Sequence, residues 1–85
     1  MPTPIAEMKN LGPASAAMLA TVGITDSQQL QQCDALLTYQ RLRQAGRPAS
    51  LNLVYAILGA QQNQHWQTIK RTQKQEILAK LAEMD

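Results

Sequence analysis

One segment of this sequence, residues 51–58, constrains the fold more than any other. It reads Leu-Asn-Leu-Val-Tyr-Ala-Ile-Leu, follows the potential helix cap Ser50, and carries apolar side chains around most of a helical circumference. A helix on a protein surface shows an apolar stripe, whereas a helix that is apolar nearly all round is buried. We therefore predict that this segment forms the central helix. The residues predicted to lie in the core are Leu53, Val54, Ile57 and Leu58.

Helix-boundary signals divide the first third of the chain into short helices. Proline is well tolerated in a first helical turn, which predicts helices over residues 4–9 and 13–21. Gly23 is suited to end the second of these helices. Thr25 and Gln28 have the spacing of a capping box, so a brief helix is predicted to follow Thr25.

Similar signals predict the helices of the second half. Asp34 is a potential N-cap for a helix that ends at Gly46, and Thr72 with Gln75 is a second capping-box pattern, at the start of the last helix. The core side of that last helix is predicted to carry Ile77, Leu78 and Leu81. Because β-branched residues never alternate along the chain, no strands are predicted. The expected fold is an all-α bundle of about five helices.

Size and composition narrow the class of protein. The 85 residues are enough for one domain, here residues 1–85, and not for two. Cys33 is the only cysteine, which excludes an internal disulfide framework and favours a reducing compartment such as the cytoplasm. No run approaches the ~18 apolar residues of a membrane span. The net charge of +2 arises after residue 46, so any electrostatic contact is expected toward the C-terminal half.

A short motif near the N-terminus suggests a binding surface. Residues 10–13, Asn-Leu-Gly-Pro, resemble the hairpin of a helix-hairpin-helix motif extending over about residues 4–22. In such a motif the second helix points free backbone amides outward, where they and the helix dipole can hold a phosphate. The candidate nucleic-acid contacts are Lys9, Asn10, Leu11 and Gly12. Gly12 is expected to need a positive φ, so that valine there would damage both fold and binding.

Two observations favour a purely structural corner as the alternative. Asn10 stands where the motif usually has its first glycine, and the helix after Pro13 opens without a basic residue. Further cations lie close together at the start of the last predicted helix, at Lys70, Arg71 and Lys74. If these cations lie on the same side of the domain as the hairpin, they can add phosphate contacts. Otherwise they form an exposed helix face with no binding role.

The sequence contains no recognisable pattern of catalytic or metal-binding residues. His65 is the single histidine and has no neighbouring cysteine, aspartate or second histidine for a zinc site. No nucleophile is spaced with a base and an orienting acid. We therefore expect no enzymatic activity, no cofactor and no small-molecule substrate. The adjacent Trp66 is expected to dock on the core, with His65 capping or bordering the loop.

A wider resemblance covers most of the chain, from about residue 5 to residue 82. The segments that carry it are Met8-Lys9-Asn10-Leu11-Gly12-Pro13, Val22-Gly23-Ile24, Tyr39-Gln40-Arg41-Leu42-Arg43, Ser50-Leu51-Asn52-Leu53, Gly59-Ala60 and His65-Trp66. In order and spacing they resemble the C-terminal domain of the TfoX/Sxy family, here as a stand-alone domain. The resemblance implies a link to DNA uptake and to the regulation of competence genes. The expected partner is DNA or a DNA-bound protein, and the alternative is a protein-interaction module without nucleic-acid contact.

Overall fold

The structure, a computed structural model that describes residues 3–84, is built from helices. A 3-10 helix, Ile5–Glu7, precedes five α-helices. Their bounds are α1 Pro13–Ala20, α2 Ser27–Gln32, α3 Ala35–Gln44, α4 Leu51–Gln62 and α5 Trp66–Met84. Between residues 3 and 84 the only β-type pairing is an isolated bridge that joins Pro4 to Asp26. The all-α prediction is confirmed.

Helix α4 forms the centre of the core, as its composition predicts. Seven of its twelve residues are buried, and they include Leu53, Val54 and Ile57. Leu58, however, is only partly buried and packs against the margin of the core. It lies two turns after Leu51, which is also partly buried, so these two leucines mark the side of α4 nearest the surface. The prediction of a central Leu58 was therefore wrong.

Several predicted helix ends have the expected geometry. The Asp34 Oδ1 accepts hydrogen bonds from the backbone amides of Leu36 and Leu37, both at 3.0 Å, and so caps α3. Gly23 and Gly46 adopt φ values of +85° and +78° just after α1 and α3. This left-handed conformation is the one in which glycine commonly ends a helix.

The cap of α2 is one residue away from its predicted position. Asp26, not Thr25, is the N-cap, and its Oδ1 accepts a hydrogen bond from the Gln29 backbone amide at 2.9 Å. The Gln29 Oε1 in turn accepts a hydrogen bond from the Thr25 backbone amide at 2.7 Å. The arrangement resembles a capping box, but it uses Gln29 and not Gln28, and the glutamine bonds to the residue before the cap and not to the cap itself.

The last helix begins earlier than its sequence suggests. Helix α5 starts at Trp66, so Thr72 and Gln75 lie inside it and form no capping box. The Thr72 hydroxyl donates to the Thr68 carbonyl oxygen at 2.7 Å, one turn back in the same helix. Leu78 was also misassigned, because its side chain is 40% exposed and lies outside the core.

The N-terminal segment is less helical than the hairpin motif predicts. The helix expected over residues 4–9 shrinks to the single 3-10 turn, so two packed α-helices do not form here. Thr3 pairs with Ser27 through its backbone amide and carbonyl oxygen, both at 2.8 Å, and holds the start of the segment against α2. Gly12 has φ −139°, and it is Asn10 that adopts the positive φ, +70°. The prediction of a positive φ at Gly12 was wrong.

Candidate nucleic-acid interface

The side chain of Asn10 joins the N-terminal segment to the start of α5. Its Oδ1 accepts a hydrogen bond from the Trp66 backbone amide at 3.1 Å, and its Nδ2 donates to the Gln64 carbonyl oxygen at 2.7 Å. Trp66 is the first residue of α5. Asn10 therefore caps a helix that begins 56 residues later in the chain, and both ends of its amide are used. We call this arrangement the Asn10 clamp.

The Asn10 clamp depends on a glycine in α4. A Cβ atom at Gly59 would overlap both the Asn10 Nδ2 and the Gln64 carbonyl oxygen. The Gly59 carbonyl oxygen also accepts a hydrogen bond from the Gln64 backbone amide at 2.8 Å, where Asn63 in the left-handed conformation ends α4. Gly59 is thus a packing requirement of the turn between α4 and α5.

The four hairpin candidates have different environments. The Asn10 amide is committed to the clamp, and Leu11 is 8% exposed, with its backbone amide bonded to the Met8 carbonyl oxygen. Lys9 is exposed. Gly12 is the N-cap residue of α1, and no side chain caps that helix end. Among these four residues, Lys9 and Gly12 have groups that remain open to a ligand.

The three C-terminal candidates lie together on one face of α5. Lys70, Arg71 and Lys74 are all exposed, and with 3.6 residues per turn they span an arc of about 100°. The acidic residues of α5, Glu76 and Glu83, fall on roughly the opposite side of the helix. We call the face of Lys70, Arg71 and Lys74 the α5 cationic face.

The cations of this face have no carboxylate partner in the described part of the chain. The one ion pair found over residues 3–84 joins Lys80 to Glu76 at 3.4 Å, on the far side of α5. The surface around the α5 cationic face is a shallow depression, to which Gln67, Thr72 and Gln75 add amide and hydroxyl groups. Its positive charge is therefore available to an external anion.

The clamp brings the two groups of candidates to the same end of the molecule. Lys9 immediately precedes Asn10, whose side chain contacts the backbone of Trp66. Lys70 follows Trp66 by four residues, which is about 6 Å along the helix axis. The sequence could not establish this proximity, because 56 residues separate the two bonded positions.

A cleft next to the Asn10 clamp was missed by sequence reasoning. Its volume is about 340 Å³, and it lies between α1, the start of α4 and the start of α5. Trp66 packs against the core as predicted, but it is only partly buried and forms one wall of this cleft. Nothing in the local sequence around Trp66 indicates this second role, because the other walls come from distant segments.

The remaining potential chemistry is limited. Within the described range, no group of three histidine, cysteine, aspartate or glutamate residues could hold a metal ion. The His65 Nδ1 accepts a hydrogen bond from the Gln67 backbone amide at 3.1 Å, so His65 borders the start of α5 as predicted. Burial raises the pKa of the Cys33 thiol above its usual value, which leaves less of the reactive thiolate at neutral pH.

Comparison with known proteins identifies the family. None of the helices described over residues 3–84 is long and apolar enough to cross a membrane. The searches of curated proteins and of solved structures gave no match. The family model for the TfoX C-terminal domain matches residues 1–81 of the 85-residue chain. Since the match covers nearly the whole chain, this protein belongs to the TfoX C-terminal domain family.

Proposed function

We propose that this domain is a non-enzymatic binding module that contacts DNA weakly and with little sequence preference. Membership of the TfoX family supports a cytoplasmic role connected with the regulation of DNA uptake and competence. The observation that carries the proposal is the α5 cationic face, where Lys70, Arg71 and Lys74 are exposed on one side of a helix without a carboxylate partner over residues 3–84.

The chemistry of this face suits phosphate better than bases. Lysine and arginine neutralise phosphate charge, and the side-chain amides of Gln67 and Gln75 can donate further hydrogen bonds. Contacts of this kind position a protein on nucleic acid and carry no direct sequence information. Because α5 provides three cations and Lys9 one more, we expect a small footprint and low affinity.

Salt dependence measures the footprint directly. Each neutralised phosphate contributes about 0.9 to the slope of log K against log salt on duplex DNA, so two to four contacts give a slope of roughly −2 to −4. Fluorescence anisotropy of labelled DNA at low and moderate salt is the measurement. The triple variant Lys70→Gln, Arg71→Gln, Lys74→Gln should bind more weakly and show a flatter slope.

A matched control removes the same charge elsewhere. Arg41, Arg43 and Arg47 belong to α3 and the loop after it, so replacing all three by glutamine lowers the net charge equally and leaves α5 untouched. We expect this control to lose much less affinity than the α5 variant. Absence of DNA binding at low ionic strength, or equal losses in both variants, would contradict the proposal.

A second candidate function is a protein-interaction module without nucleic-acid contact. Its candidate contacts are the two large apolar side chains on the surface, Leu37 at 43% and Leu78 at 40% exposure. Association with a DNA-bound regulator would use such a surface. This function predicts a partner that remains bound as salt rises and is lost with Leu37→Asp or Leu78→Asp, whereas the α5 triple variant retains it.

A further inference from the structure

We propose that the cleft beside Trp66 holds one unpaired nucleobase, which makes single-stranded nucleic acid the preferred ligand of this domain. The inference rests on the proposed function, because it takes the α5 cationic face as the phosphate-binding surface. It adds a second kind of contact, stacking on an aromatic ring, that the cationic face alone does not supply. The two contacts together are those by which proteins bind single strands without strong sequence preference.

The walls of the cleft match the two surfaces of a nucleobase. Trp66, Met18 and Leu53 provide aromatic and apolar surface for the flat face of a base. Ser15, Ser50 and Asn52 provide hydroxyl and amide groups for its polar edge. The volume of about 340 Å³ lies at the small end of the range for ligand pockets, as is appropriate for a single ring system.

The three polar side chains are free to bind a ligand. Within residues 3–84, none of them makes a hydrogen bond to another group of the protein. Ser50 occupies the N-cap position of α4, yet its hydroxyl does not bond to the amides of that helix. Hydroxyl and amide groups both donate and accept hydrogen bonds, so they can meet the edges of different bases. This adaptability agrees with weak sequence preference.

The cleft and the α5 cationic face are continuous along one helix. Trp66 forms the wall of the cleft and is the first residue of α5. Lys70 and Lys74 follow at about 6 Å and 12 Å along the helix axis, within about 80° of Trp66 around it. A strand that places one base against Trp66 therefore has its adjacent phosphates beside these lysines.

Duplex DNA is poorly suited to placing a base in the cleft beside Trp66. Its bases are paired and stacked, and turning one out of the helix breaks both kinds of contact, a cost that a single strand does not incur in full. The exposed ring of His65 stacks on that of Trp66, with the centroids 5.8 Å apart and an interplanar angle of 29°, and it lies outside the lining of the cleft. Aromatic surface of this kind interacts with unpaired bases and not with a closed duplex.

Trp66 is itself the probe for the experiment, because it is the only tryptophan of the chain. Titration with a short oligothymidylate should quench its fluorescence as the base stacks on the indole. Anisotropy with a labelled oligothymidylate and with a labelled duplex of the same length should show tighter binding of the single strand. Quenching without stronger single-strand binding, or stronger duplex binding, would overturn the inference.

Variants of Trp66 separate stacking from packing. Trp66→Phe keeps an aromatic ring and should retain most single-strand affinity in the anisotropy assay. Trp66→Leu keeps apolar bulk without the ring and should weaken single-strand binding roughly 5- to 150-fold, the fold-change that corresponds to about 1–3 kcal/mol per stacked base. Equal affinity of the leucine and phenylalanine variants for the single strand would overturn the role of stacking.

A second pair of variants does not depend on the packing of Trp66. Asn52 is exposed and lines the cleft, whereas Gln28 is exposed on α2 and lies outside it. Asn52→Glu and Gln28→Glu add the same negative charge, and only Asn52→Glu should weaken single-strand binding substantially. If both glutamate variants bind equally and the α5 triple variant still binds more weakly than wild type, the proposed function stands and the cleft inference fails. If wild type binds neither form of DNA, both fail.

Discussion

Helices α4 and α5 pack against each other more extensively than any other pair of elements, yet they are built in different ways. Seven of the twelve residues of α4 are buried, whereas only two of the nineteen in α5, Ile69 and Ile77, are buried. In their interface, therefore, α4 provides most of the buried apolar surface, whereas α5 is a long helix whose surface is mostly exposed to solvent. Helix α5 needs little of its circumference for folding and can present the rest to a partner.

This difference predicts a separation of stability from binding. Substitutions in α4 should lower the free energy of unfolding, because buried apolar surface and tight packing contribute most of it. Substitutions on the exposed faces of α5 should change binding and leave the free energy of unfolding nearly constant. The Asn10 clamp lies at the junction of the two helices and should have intermediate effects.

The largest expected effect is at the centre of α4. Ile57 has no exposed surface, and Ile57→Ala should lower the free energy of unfolding by about 2–5 kcal/mol because it leaves a cavity. The neighbouring Leu58 is only partly buried, so Leu58→Ala should have a smaller effect. Denaturant titration of both variants makes the comparison. A greater loss for Leu58→Ala would mean that α4 is rotated relative to the present structure.

The second-largest effect on stability is expected at Gly59. A methyl group there overlaps Asn10 and the Gln64 carbonyl oxygen, so Gly59→Ala should lower the free energy of unfolding by roughly 1–3 kcal/mol, as overpacking generally does. Gly12→Ala is the matched control, since no atom lies within 4 Å of a Cβ at Gly12 and its φ is negative. Thermal or chemical unfolding that ranks Gly12→Ala as the more damaging change would contradict the assigned geometry.

The Asn10 clamp itself should contribute less. Asn10→Ala removes the acceptor of the Trp66 amide at the start of α5, and loss of a side chain that caps a helix typically costs about 0.5–2 kcal/mol. Asn10→Asp retains an oxygen that accepts from Trp66 but places a second carboxylate oxygen against the Gln64 carbonyl oxygen, where neither atom donates, so it should also be less stable than wild type. Hydrogen exchange of the Trp66 amide gives a local measurement. Unchanged exchange in Asn10→Ala would argue against the clamp.

The smallest effect on stability is expected on α5. The triple variant Lys70→Gln, Arg71→Gln, Lys74→Gln should change the free energy of unfolding by no more than about 0.5 kcal/mol per site, because these side chains are exposed and make no ion pair among the described residues. Denaturant titration would check this beside the binding assay. If the triple variant were much less stable than wild type and also lost DNA binding, stability and binding would not be divided between α4 and α5.

Local signals in the sequence determined most of the helices. Asp34 caps α3 through amides two and three residues away, and Gly23 and Gly46 end α1 and α3 because their own φ angles are positive. Interactions of this range depend only on neighbouring residues, so a pattern is enough to predict them. The central position of α4 followed equally from its own apolar circumference.

Only the tertiary structure decided what the N-terminal segment and the start of α5 do. The Asn-Leu-Gly-Pro motif left open a phosphate-binding hairpin and a purely structural corner, and neither alternative indicated that Asn10 bonds to residues 54 and 56 positions away and caps α5. Gly59 and Trp66 acquire their roles from the same long-range contact, one as a packing requirement and the other as the wall of a cleft. Residues that are so far apart in the sequence form no local sequence pattern, because their proximity depends on how all the intervening helices pack.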